Sequence, residues 1–179
     1  MNKLNAGRLG YKAAFGVVAL VVGSLSASVP AHSAPADLEL IQSYVGDWRG
    51  RGTMNAPGQD SETVVCRLNI TRSSAEKINY RGRCTLAGGN VSMNGTMAYL
   101  SANNRYEAIM TSNTAFTGTA IGRRVGKNVT FNLQAKDDQG RTSNVRAGFG
   151  LVDGSIKVDF EIIQADGSKM VAVIPFDRR

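Results

Sequence analysis

From residue 47 onward, apolar and polar side chains alternate in short runs divided by turn residues. A period of two marks a strand with one buried and one solvated face. It predicts ten strands, at residues 47–55, 62–72, 76–86, 90–100, 104–112, 115–124, 127–136, 142–151, 155–163 and 168–176. The breaks are rich in Gly, Asn and Asp, as in Gly88-Gly89, Ala102-Asn103, Asp153-Gly154 and Asp166-Gly167. Those residues supply the positive φ that hairpin turns require. No interval is long enough for a crossover helix, so neighbouring strands pair antiparallel. Ahead of the strands, residues 37–45 read as a short helix with Leu38, Ile41 and Val45 near one face.

The alternation assigns faces. Val64, Cys66, Leu68 and Ile70 share one side of the second run, opposite Arg67, Asn69 and Thr71. Ile78, Tyr80, Cys84 and Leu86 oppose Lys77, Asn79, Arg81 and Arg83 in the third. The last run is ambiguous, because Val171 and Val173 are as apolar as Ala172 and Ile174. The expected fold is all-β: an antiparallel up-and-down meander barrel of about ten strands with a short N-terminal helix, since closure removes both sheet edges. An open sandwich is the runner-up. A membrane barrel shares the alternation but turns its apolar side to lipid. The many Arg and Lys on the polar faces and the scarcity of aromatic residues weigh against it.

Register follows from the turn centres. A turn centred near Ala75 pairs residues whose numbers sum to 150, and Cys66 and Cys84 satisfy that sum. Directly opposed cysteines on one face are placed to form a disulfide. Arg67 and Arg83 satisfy the same sum on the other face. A first turn centred on Gly58 brings Arg49 into their row.

Charge then changes the picture at the N-terminus. Lys3, Arg8 and Lys12 precede the uncharged, mostly apolar residues 13–25, and small residues follow. This is the pattern of a secretory signal peptide. Residues 1–33 are the expected leader, with cleavage after Ser33 or as late as Ala36, and residues 34–179 form one domain. The protein is then exported, to a periplasm or the extracellular space, where a disulfide persists. The whole chain has 21 Lys+Arg and 14 Asp+Glu, and without residues 1–33 the formal charge falls from +7 to +4. That balance does not suggest a nucleic-acid partner. The only histidine, His32, lies in the leader. Ser-His-Asp and Cys-His catalysis are then closed to the remaining domain, as are imidazole-held metals. No acid–base pair or nucleophile–base spacing stands out, so no catalytic residue, metal ligand or cofactor is assigned and a non-enzymatic role is preferred.

Gly46-Asp47-Trp48-Arg49-Gly50-Arg51-Gly52 opens the first strand after the helical segment. It resembles the start of calycin-type barrels, the lipocalins and the nitrobindin-like proteins. The resemblance implies that Trp48 closes one barrel end, with Gly46, Gly50 and Gly52 as part of the same signature. It also implies that a basic residue late in the last strand, Arg178 or Arg179, packs over the Trp by a cation–π contact. Nitrobindin-like proteins bind heme through a His, and residues 34–179 have none. Fatty-acid-binding proteins insert a helical pair between the first two strands, and residues 56–61 leave no room for it.

The inward positions include Tyr80, Met93, Met97, Tyr99, Tyr106, Met110, Phe116 and Phe149, with small residues Gly118, Ala120, Gly122 and Ala147. Small side chains leave space in a wide barrel, and Met and Tyr make an adaptable wall. No inward charge is expected. The first functional expectation is binding of a hydrophobic small molecule or lipid-like ligand in the interior. The second is an envelope protein acting through Arg49, Arg67 and Arg83 on an anionic lipid, glycan or protein, including protease inhibition.

Overall fold

The structure, a computed structural model, describes residues 34–113, 117–136 and 140–179. The helix α1 (Ala34–Ser43) precedes ten strands, β1 (Gly46–Asn55), β2 (Glu62–Arg72), β3 (Lys77–Leu86), β4 (Gly89–Leu100), β5 (Arg105–Ser112), β6 (Gly118–Val125), β7 (Asn128–Lys136), β8 (Thr142–Val152), β9 (Ser155–Ile163) and β10 (Lys169–Arg178). Each strand pairs antiparallel with its neighbour in the chain, and β10 closes on β1. The molecule is therefore the ten-stranded meander barrel expected from the alternation, not an open sandwich. The expected leader lies outside the described residues.

The registers follow the turn centres. Cys66 opposes Cys84 and Arg67 opposes Arg83 between β2 and β3, while Arg49 opposes Arg67 between β1 and β2. Cys66 and Cys84 are joined in a disulfide on the inner face. Asp153 and Gly154, both with positive φ (47° and 81°), make the tight turn between β8 and β9, as a two-residue hairpin demands. Apolar side chains face inward and the arginines of β1 to β3 outward, the reverse of a membrane barrel. The ambiguity in β10 resolves with Ala172, Ile174 and Phe176 buried and Val173 outside. Pro175 then points outward and has no N–H to donate, and the β1–β10 ladder skips the positions between Gly50↔Phe176 and Thr53↔Val173.

The helix closes one end. It starts at Ala34, earlier than the pattern predicted, because Pro35 suits a first turn and its fixed φ is helical. Its buried face is centred on Asp37, Leu40, Ile41 and Tyr44, one position round from the predicted Leu38, Ile41 and Val45. Gln42 donates its amide to the carbonyls of Ser74 and Ala75 in the β2–β3 turn, at 2.9 and 3.0 Å. Tyr44 donates its hydroxyl to the Phe149 carbonyl, and Trp48 donates Nε1 to the Tyr44 carbonyl at 2.8 Å. Arg178, not Arg179, lies over the Trp48 ring at 4.4 Å. The Arg178 guanidinium also donates to the carbonyls of Val45 (2.9 Å) and Ser43 (3.3 Å), which meets acceptors left open where the helix ends. Gly46 is required here: its φ is 149°, and a Cβ would collide with the Arg178 guanidinium. At Gly50 a Cβ would collide with Phe176, and at Gly52 with the Val173 carbonyl, so the signature glycines admit close approach of β10.

The expectation of no inward charge is corrected at this end. Asp37 is 1% exposed and pairs with Arg124 Nε at 2.7 Å. Tyr106 donates its hydroxyl to Asp37 Oδ1 at 2.9 Å. Arg124 follows Gly118, Ala120 and Gly122 in the inward phase of β6, so its position was legible, but its partner sits in a distant helix. The ion pair fixes α1 to the barrel rim.

Two outcomes are expected in urea denaturation. Replacing both Cys66 and Cys84 by Ala lowers the unfolding free energy by about 2–4 kcal/mol, and alkylation of the unfolded, unreduced protein labels neither cysteine. Arg124→Leu costs about 3–5 kcal/mol by leaving Asp37 charged and buried, and the Asp37→Leu/Arg124→Leu double variant costs less than Arg124→Leu alone. A double variant that costs more would show that packing, not charge compensation, holds this end.

Candidate functional site

Inside the closed end the barrel holds a cavity of about 420 Å³, within the usual 300–1,000 Å³ range of small-molecule sites. Tyr80, Met93, Met97, Met110 and Phe149 line it, as the inward phase predicted, together with Met54, Phe131 and Phe160. Gly118, Ala120 and Ala147 make room on β6 and β8. Gly122 lies instead beneath the Phe131 ring. Tyr99 and Tyr106 point inward but belong to the closed end, with ring centroids 5.1 Å apart. Tyr99 is tied to Asn104 by its hydroxyl at 2.8 Å. Phe116 lies outside the described residues.

The wall is almost wholly apolar. Among the described residues it carries no Asp, Glu, Lys or His, and its one Arg, Arg67, is exposed on the outer face of β2. Tyr80 donates its hydroxyl to the Ile109 carbonyl at 3.2 Å, and burial pushes its pKa up to about 12. Burial raises Tyr44 further, opposed in part by the Arg124 charge. Both phenols stay protonated at neutral pH.

These groups do not fit heme. Protein ligands that hold heme iron include imidazole, thiolate, phenolate and thioether, the thioether typically paired with a His. The described residues contain no His, and both cysteines are in the disulfide. The two phenols on the wall are protonated and engaged, which leaves methionine thioethers with no stronger donor beside them. Among the described residues the one cation at the wall is Arg67, which is exposed on the outer face and not placed to meet propionates. Among the described residues no cluster of His, Cys, Asp and Glu is placed to hold a metal ion.

The ladders on both sides of β6 are short, and the wall has a gap between β6 and β7. Pairing there runs from Val125↔Asn128 only as far as Ile121↔Asn132. Gly118, Thr119 and Ala120 pair with β5 but not with β7. Leu133 therefore faces both the interior cavity and a hollow on the outer surface beside Thr119, Ile121 and Gln134.

On the opposite side of the barrel, Arg49, Arg67 and Arg83 stand side by side on β1, β2 and β3, all exposed. The disulfide bridges β2 and β3 one residue away on the inner face.

Among curated proteins none matches the sequence. Solved structures share the fold, among them the following two. The S-type phycobiliprotein lyase CPES from Guillardia theta is 11% identical with a TM-score of 0.57, over 79% of this chain and 91% of that one. The M. tuberculosis protein Rv2717c is 13% identical with a TM-score of 0.57, over 80% of this chain and 97% of that one. The family described as the THAP4-like, heme-binding beta-barrel domain matches residues 37–173, from the buried Asp37 to β10. The chain belongs to that family, with a barrel wall that lacks a histidine.

Proposed function

We propose that the protein is an exported, non-enzymatic barrel that binds a hydrophobic small molecule in its interior, without iron ligation. The observation that carries this reading is the connected apolar cavity of about 420 Å³. A ligand burying about 200 Å² of apolar surface there gains roughly 5 kcal/mol before the cost of association. The Met side chains adapt to its outline, and a neutral ligand suits a wall with no inward charge. The family's description as heme-binding supports a small molecule in the barrel, and the donor set of this member favours an occupant other than heme. Export rests on the sequence pattern of residues 1–33. Cleavage after Ser33 keeps all of α1, whereas cleavage after Ala36 removes its first turn.

Native mass spectrometry of protein purified from its own compartment, followed by organic extraction, identifies the occupant. With purified protein, the neutral dye N-phenyl-1-naphthylamine is expected to bind at one site. Ala108→Phe and Ala147→Phe fill the cavity and are expected to weaken that binding at least about tenfold, with thermal unfolding midpoints unchanged or raised. Dye binding indifferent to both variants overturns the reading. Added hemin is expected to give no saturable one-to-one Soret shift. Such a shift, abolished by Met93→Leu or Met110→Leu, would place heme back in the cavity.

A further inference from the structure

The charges of this barrel are unevenly partnered. On one side, acids and bases meet: Lys169 pairs with Glu161 at 2.7 Å and Arg105 with Glu107 at 2.5 Å. On the outer face of β1 to β3, five exposed arginines, Arg49, Arg51, Arg67, Arg81 and Arg83, make no ion pair among the described residues. Two acids on or beside this face, Asp47 and Asp177, make no ion pair with these arginines among the described residues. Asp47 accepts from Asn69 at 2.7 Å, and Asp177, opposite Arg49 on β10, accepts from Ser155 at 3.1 Å.

The row Arg49–Arg67–Arg83 crosses three adjacent strands. Strand spacing of about 4.8 Å puts its stems within about 10 Å. Like charges directly opposed destabilise a sheet, yet here the arrangement is held from behind. The Cys66–Cys84 disulfide closes the neighbouring pair of the β2–β3 ladder on the inner face, so Arg67 and Arg83 cannot slip out of register. A covalent brace beside a repelling pair keeps the guanidinium groups presented together.

We infer that this face binds an acidic polysaccharide. Guanidinium groups engage carboxylate and sulfate in bidentate fashion, which a lysine patch does not. A linear chain of regularly spaced anions suits a row of cations set at a fixed strand spacing. Thr53, Thr63 and Asn79 add exposed or part-exposed hydroxyl and amide groups that suit sugar hydroxyls. The face has no large exposed apolar side chain to enter a bilayer. Those are Ile109, Ile121, Val125, Val152 and Ile163, on β5, β6, β8 and β9, with Val173 of β10 at the margin opposite Thr53. The inference is independent of what the cavity holds.

The test uses the barrel protein on immobilised polygalacturonate at low salt. Two triple variants lose the same charge: Arg49→Gln/Arg67→Gln/Arg83→Gln on the face, and Arg123→Gln/Lys127→Gln/Lys157→Gln away from it. The face variant is expected to weaken binding at least about tenfold and the control by less than about twofold. Thermal unfolding of the face variant is expected to be unchanged or slightly raised, since repulsion is relieved, and it must still bind the dye in the cavity. Equal weakening in both variants reduces the effect to net charge and overturns the proposal. So does unchanged binding by the face variant. Binding of wild type to phosphatidylglycerol vesicles but not to the polysaccharide would overturn it in favour of a membrane surface.

Discussion

Closure of the sheet is the constraint on which everything else rests. In a closed antiparallel barrel every residue of a strand is committed to the inside or the outside, and a slip of one residue exchanges the two. Ten consecutive registers hold that commitment here. The methionine-lined cavity and the arginine row are two faces of the same ladder: Cys66 points in and Arg67 points out, and one register sets both. Neither surface can be altered in position without moving the other.

Closing the sheet leaves two open ends, and the protein treats them differently. At one end α1 is fixed by four kinds of contact: an ion pair from Asp37 to Arg124, a hydroxyl from Tyr106, the Arg178 guanidinium on the Ser43 carbonyl, and the Gln42 amide on the β2–β3 turn. The buried ion pair is not itself a strong source of stability, because desolvating two charges offsets much of their attraction. Its value is specificity of seating, since only one placement of the helix leaves Asp37 compensated. The apolar space inside that end is left unfilled by Gly118, Ala120 and Ala147, which lets a ligand displace water instead of side chains.

Much of this was legible in the sequence, for a physical reason. Hairpin turns fix register by simple arithmetic, so the Cys66–Cys84 pair and the three arginines followed from turn centres at Ala75 and Gly58. Period two then fixed their faces. What arithmetic cannot supply is contact between elements that do not share a ladder. Arg124 was in the inward phase of β6, yet an arginine after a run of small residues reads as the strand's exit into solvent. Only the helix laid across the rim shows that Asp37 awaits it. The helix face was displaced by one position because the buried stripe includes a charged residue, Asp37, which an apolar pattern assigns to solvent. Tyr99 and Tyr106 illustrate the remaining limit. Phase placed them inside, but depth along the barrel decides whether an inward residue meets a ligand or a plug.

The incomplete β6–β7 ladder has a mechanical meaning. A closed barrel behaves as a hoop, and its resistance to widening is set by its least bonded link. The two ladders that flank β6 are equally short, and Gly118, Thr119 and Ala120 hang from β5 alone. Radial strain from an oversized occupant would therefore fall on the strands around β6, where Leu133 lies between the cavity and the outer hollow, and away from the quarter of the wall braced by the disulfide. The barrel is braced where it presents its arginines and least laced on the far side.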